Sequence, residues 1–325
     1  MNNFVIIGSG LGGLLAGYLL SKEGLEVTVL EKHKKFGGCL QSFRRDTFTF
    51  DTGMHYLGSL LPGQALYNYW KYFGLSDRLE FLPMDPDGFD RISFGDDDPL
   101  QNSQEFPLAQ GLENFREQLL PYFPGSKKAL KGYTDKLNEI ALSHPLYNLE
   151  LPSKQIPDIY RSIKASIFLD NLTSGIRHHC HCDPEYSGEA AASGISLSSV
   201  LAGNNFLYAG NPTTTPLHQF ALINHSFISS ACRVVGGSQQ IADCLVAGIE
   251  HYGGRVLPKK KAVKIRKTGE LFEVNSSDGD RFIASAVISD LHPAATLNLL
   301  EGIPVQKAFR SRINGLENTV SVFTV

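Results

Sequence analysis

"FVIIGSGLGGLLAGYLL", residues 4–20, decides how the rest of the 325-residue chain is read. Phe4 to Ile7 are four consecutive apolar residues, mostly β-branched, as a strand covered on both faces requires. Gly8-Ser9-Gly10-Leu11-Gly12-Gly13 follows at once, and Leu14, Leu15, Tyr18 and Leu19 then recur at helical spacing until Gly24. "LEVTVLE" (25–31) reads as a second strand. Strand, glycine turn, helix and strand in this order give a G-x-G-x-x-G match its meaning. Gly8 allows the tight turn, Gly10 lets backbone approach a pyrophosphate, and Gly13 lets the helix lie on the strand. The helix N-terminus adds unpaired N–H groups and a partial positive charge. Glu31 stands at the end of the second strand, an end expected to be exposed, where a carboxylate accepts both hydroxyls of an adenosine ribose and repels a 2′-phosphate.

The composition agrees with a folded protein. Apolar residues make up 42% and charged residues 19%, the profile of an ordinary globular chain. The length allows one large or two ordinary domains. A net charge of -3 gives no pull toward nucleic acid or anionic lipid. The five cysteines (39, 180, 182, 232 and 244) form no disulfide framework, so a reducing, cytoplasmic compartment is expected. Peripheral membrane contact stays open. The 4–20 run carries five glycines, no basic stretch precedes it and "SKEG" follows, so it reads as neither a signal peptide nor a span.

FAD and nicotinamide cofactors share an ADP half, which the first β–α–β unit cannot tell apart. Gly37-Gly38 and then "FDTGMHYLG" (50–58) supply more small residues downstream. A second close approach of backbone suits a longer cofactor folded along the domain edge.

"GSGLGGLLAG", "EKHKKFGG" and "FDTGMHYLG" together resemble the flavin-binding amine-oxidase-type superfamily. Within it, the similarity is to the phytoene desaturase, carotenoid isomerase and retinol saturase branch. The resemblance implies FAD as cofactor. It assigns contacts to Gly8, Ser9, Gly10, Leu11, Gly12, Gly13, Glu31, Lys32, Gly37, Gly38 and Ser42. It also runs the segment matching Asp51 to Tyr56 beside the flavin ring, with contacts assigned to Gly53, Met54, His55 and Tyr56. Farther on, the position of Val263 gives its backbone to the adenine, and the strand ending at Ser289 completes the cofactor domain. Cys39 stands where members of the wider superfamily often carry arginine. The match covers about the first 60 residues and 230–292, with the middle matching loosely.

In "RVVGGSQQIADCLVAGIEHYGGRVL" (233–257), Ile241, Leu245 and Ile249 form one helix stripe between glycine pairs. "KKKAVKIRK" (259–267) alternates Val263 and Ile265 with Lys264 and Arg266, a strand with one wet face. "FIASAVISD" (282–290) reads as one buried strand. Amphipathic helices are expected at 64–75, 111–123, 126–142 and 154–170, and short strands at 79–83 and 90–94. The aromatic-rich 199–231 suits either an ordinary core or the apolar tunnel that the resemblance implies. "HHCHC" (178–182) lacks the second, separated ligand pair of a zinc site, and "GDDDP" (95–99) lacks the spacing of a calcium loop. No metal is expected.

These readings give an α/β fold. Residues 1–63 and 230–292 form a discontinuous Rossmann-like FAD domain, and 64–229 with 293–325 form a mixed α+β substrate domain. The expected function is an FAD-dependent oxidoreductase acting on carbon–carbon bonds of an apolar polyene or isoprenoid, as saturase, desaturase or isomerase. A non-enzymatic lipid or prenyl carrier of related fold is the alternative. Members of the resembled family continue beyond the equivalent of "NTVSVFTV" (318–325) and bring a late glycine-rich segment across the flavin, so an incomplete flavin site is a further expectation. Two roles stay open for His55: proton donor, or filler on a backbone that Gly53 and Gly58 bring close to a flat ring.

Overall fold

The computed structural model describes residues 3–95, 104–144, 147, 195–210 and 215–316. The expected helix at 154–170, the 178–182 cluster, most of "GDDDP" and the "NTVSVFTV" end lie outside the described residues. The chain divides into two compact units. The first comprises Met1–His55, Trp70–Glu80 and Val234–Asn318; the second is built mainly from Tyr56–Tyr69 and Phe81–Arg233.

The first unit is a Rossmann-like α/β layer. β1 (Asn3–Ile7), α1 (Leu11–Lys22) and β2 (Glu26–Leu30) follow the order read from the sequence. β1 lies between β2 and the strand Ala286–Ser289, and β2 also pairs with Arg255–Leu257, all in parallel. Val5, Ile6, Ile7, Val27, Val29 and Leu30 are buried, as strands covered on both faces must be. α1 packs against the helix Gln239–His251. Gly17 lets Ile249 and Val29 approach closely, and Gly248 makes room for the Tyr18 ring.

A second sheet runs in the order Arg281–Ala284, Leu271–Ser276, Ala262–Thr268 and Leu300–Glu301. Its Ala262, Ile265, Val274 and Ala284 share a core with Val5, Ile7 and Leu30 of the parallel sheet. Two readings are corrected here. The 282–290 run is two strands in two sheets, broken at Ser285, whose N–H and hydroxyl both bond Asn3. The simple alternation at 262–266 also fails, because the register slips between Ala262 and Lys264. Val263 is the extra residue of this bulge and stands exposed, while Ala262 and Ile265 are buried. Residues 293–316, grouped from sequence with the substrate domain, belong to the first unit because Leu300–Glu301 pairs with Ala262–Thr268.

The second unit holds the helices Leu112–Leu119, Lys127–Ser143 and Leu217–Ser229 and a hairpin of Asp90–Phe94 with Gln104–Leu108. Phe106, Phe115, Phe123, Leu130, Leu137, Leu197 and Ile228 fill its core. Leu57–Gly58 pairs with Ala231–Val234, and this accounts for Gly58. A Cβ there would meet the Ser226 carbonyl carbon and hydroxyl at 2.5 Å, so a backbone approach between strand and helix excludes a side chain. Gly58→Ala is therefore expected to lower stability by about 1–3 kcal/mol, the usual cost of overpacking. Urea unfolding of the pair of proteins checks it, and an unchanged midpoint would contradict the packing.

Candidate functional site

The glycine turn closes the carboxyl end of β1. Ile7 hands the chain to Gly8, whose φ of +102° favours glycine and whose N–H donates to the Leu30 carbonyl at 2.9 Å. Ser9 is fully buried. Gly10 caps α1 in extended conformation and its carbonyl accepts the Leu14 N–H at 3.0 Å. A Cβ at Gly13 would collide with the Gly8 carbonyl, which is the close helix–strand contact expected of that position. The first turn of α1 carries no acidic residue, and Leu11 and Gly12 are exposed. Their N–H groups have no carbonyl within the helix to reach.

Glu31 sits beside this turn but not as expected. It is buried, with 6% exposure, where the sequence reading placed it at an open strand end. Its Oε2 accepts the Ser9 hydroxyl at 2.5 Å and the Ser9 N–H at 3.2 Å, and Oε1 accepts the His33 N–H at 2.8 Å. The carboxylate thereby ties loop to strand. Oε2 already accepts two hydrogen bonds, so the capacity left for a sugar hydroxyl is on Oε1.

Gly37 and Gly38 complete the wall. Gly37 donates its N–H to the Ser9 carbonyl at 2.8 Å, and a Cβ at Gly38 would stand 3.2 Å from the Gly10 Cα. Both have positive φ. Lys32 is exposed, whereas Ser42 is buried and donates its hydroxyl to Asp51 Oδ1 at 2.9 Å. The same oxygen accepts the Ser238 N–H at 2.8 Å. Asp51 thus clamps the hairpin Ser42–Arg45/Phe48–Asp51 to the start of the helix Gln239–His251. Gly53 packs on Cys39, Met54 is half-buried and His55 is exposed. Tyr56 belongs to the second unit, where its hydroxyl donates to Asp90 Oδ2 at 3.0 Å and its ring meets Phe227 edge-on. Burial, and then the Asp90 charge, push the Tyr56 phenol well above its ordinary pKa.

Asp290 was missed. Its N–H donates to the Ile7 carbonyl at 2.8 Å, which fixes it just past Ser289 at the end of the strand beside β1. Its carboxylate lies over the turn: a Cβ at Gly12 would be 2.8 Å from Oδ1, and one at Gly10 would collide with Oδ2. Partial burial raises its pKa, N–H groups of Gly13 and Gly10 pull it back down, and the Glu31 charge adds to the rise. The signal lay in its position, since ligand-contacting residues of open α/β sheets follow the carboxyl ends of strands. Among the described residues, no cluster of His, Cys, Asp and Glu could hold a metal ion.

The donors and acceptors present fit a dinucleotide, with exposed N–H groups on bare backbone beside an acceptor-only carboxylate. The model of the NAD(P)-binding Rossmann-like domain family matches residues 6–73. All-trans-retinol 13,14-reductase from Danio rerio is 27% identical over 80% of this chain and 42% of its own length. Chloroplastic prolycopene isomerase 2 from an Oncidium hybrid cultivar is 27% identical over 88% of this chain and 47% of its own. The solved structure of an oxidoreductase from Methanosarcina mazei superposes with a TM-score of 0.61 at 19% identity, covering 97% of this chain and 65% of that one. The structural likeness establishes the fold. The relatives' names bear out the resemblance read from the motifs, and the chain spans less than half of their length.

Because Glu31 bonds inward, its removal should cost more than ligand affinity. Glu31→Ala leaves Ser9 and the His33 N–H without their acceptor, so stability should fall by about 1–3 kcal/mol. A thermal melt of the ligand-free protein checks it. A melt identical to wild type would return Glu31 to a purely ligand-binding role.

Proposed function

We propose that the chain binds FAD and serves an oxidoreductase acting on carbon–carbon bonds of an apolar polyene or isoprenoid. The observation that carries this reading is the exposed, glycine-bare first turn of α1 beside the buried Glu31 carboxylate. In this reading the N–H groups of Leu11 and Gly12 hold the diphosphate and Glu31 accepts a ribose hydroxyl at Oε1, with Lys32 at the strand end beside it. Gly37 and Gly38 keep side chains away from the neighbouring backbone. Val263, at the bulge in its ladder, gives its backbone to the adenine. The first unit then carries the cofactor and the second the apolar substrate, with the aromatic-rich 199–231 as part of its lining. When bound, FAD supplies the hydride chemistry, and the protein supplies binding, orientation and exclusion of water. The names of the relatives, a retinol reductase and a prolycopene isomerase, support a polyene substrate. They leave the direction of the reaction to the assay.

The visible spectrum of the purified protein tests the reading. A flavin spectrum, as isolated or after reconstitution with FAD, is expected, and a chain that stays colourless would defeat it. Gly10→Val should remove the flavin while the protein stays folded. Its backbone is in a conformation that valine tolerates, and the obstacle a Cβ meets is the far end of the Asp290 side chain.

His55 lies on the segment assigned to the flavin wall and is exposed. His55→Ala should retain FAD and lose activity by less than the roughly hundredfold typical of a general acid. A larger loss at full FAD occupancy, in steady-state assays with a polyene, would make the histidine catalytic.

A further inference from the structure

The turn that should receive a diphosphate already holds an anion. Asp290 leans its carboxylate over Gly10, Gly12 and Gly13 and draws on the Gly10 and Gly13 N–H groups, at the same helix N-terminus that would attract phosphate through Leu11 and Gly12. Its backbone is pinned by the Ile7 carbonyl, but its side chain keeps a face in solvent into which it can turn.

We propose that Asp290 is a resident anion of the cradle, holding the loop in the ligand-free protein and competing with an incoming diphosphate, so that binding must displace or protonate it. This rests on the FAD reading above. It assigns Asp290 a role in setting affinity, one opposite in sign to that of the surrounding glycines.

The electrostatic surroundings favour this role. The charged group facing Asp290 from β2 is Glu31, another carboxylate. The first turn of α1 brings only Gly10, Leu11, Gly12 and Gly13. His292, two residues on, is exposed and accepts the Ala294 N–H at its own Nδ1. A diphosphate therefore adds negative charge to a place that already carries two carboxylates.

The direction of the pH effect follows. A bound diphosphate favours the neutral Asp290 carboxyl, so the pKa in the complex exceeds that of the free protein, and binding takes up a proton between the two values. Affinity is weakest above the pKa of the complex and rises as pH falls toward that of the free protein.

Titration of FAD, and of ADP as the shorter probe, into wild type, Asp290→Asn and Asp290→Ala from pH 8 to pH 5 tests this. Circular dichroism confirms that each variant is folded. Both variants should bind about tenfold tighter at pH 8, the scale expected for removing one charge near an anion at a partly exposed site. Wild type should tighten toward them as pH falls, and the variants should show the flatter profile. If wild type binds FAD but neither variant gains affinity, Asp290 is not a competitor and the FAD reading stands. If no form binds FAD or ADP at any pH, both proposals fall.

Discussion

Backbone meeting backbone with no side chain between is the constraint on which the carboxyl end of the parallel sheet depends. Gly13 must lack a Cβ for α1 to lie against the Gly8 carbonyl, and Gly38 must lack one to come within reach of Gly10. The loop then has no side-chain bulk of its own to hold it. Polar groups from elsewhere do that instead: Glu31 from β2, the Ser9–Gly37 backbone bond, and Asp290 from the next strand. Each is a hydrogen bond of modest net worth, but leaving the buried Glu31 carboxylate unpaired would be expensive. The close packing and the polar anchoring therefore act together on the same turn.

That arrangement places two carboxylates at a site whose dipole favours anions. Glu31 is the better satisfied, accepting three hydrogen bonds with little exposure. Asp290 is the looser one, raised by partial burial and by Glu31, and held mainly by two backbone N–H groups. The division follows from geometry: Glu31 is buried on Ser9 and the His33 N–H, and Asp290 lies across the turn with one face in solvent. A ligand that brings its own phosphates can replace what Asp290 does for the loop, but it cannot replace Glu31.

The first β–α–β unit was legible because hydrophobic period, glycine spacing and strand order all agree there. The helix Gln239–His251 and the strands at Phe81–Pro83 and Asp90–Phe94 were legible for the same local reasons. What failed was set by non-local pairing. Ser285 breaks a run that is otherwise apolar from Phe282 to Ile288, because Asn3 from the far end of the chain captures its N–H and hydroxyl. The Val263 bulge depends on the register of Leu271–Ser276, which periodicity within 262–266 cannot report. Asp290 was missed as a site residue because its position tells only once it is known which strand lies beside β1. Its amino-acid type carried no signal.

The stretch "FDTGMHYLG" shows how one short run can serve several masters. Asp51 clamps the hairpin to the helix Gln239–His251, and Gly53 yields space to Cys39. Tyr56 spends its ring and hydroxyl on Phe227 and Asp90, and Gly58 admits the backbone of Ser226. The glycines that suggested a flat ring nearby are thus accounted for by protein packing. A residue already committed to internal contacts is poorly placed to reach a ligand as well. Tyr56 is committed in this way, whereas Met54 is half-buried and Phe50, Thr52 and His55 are exposed.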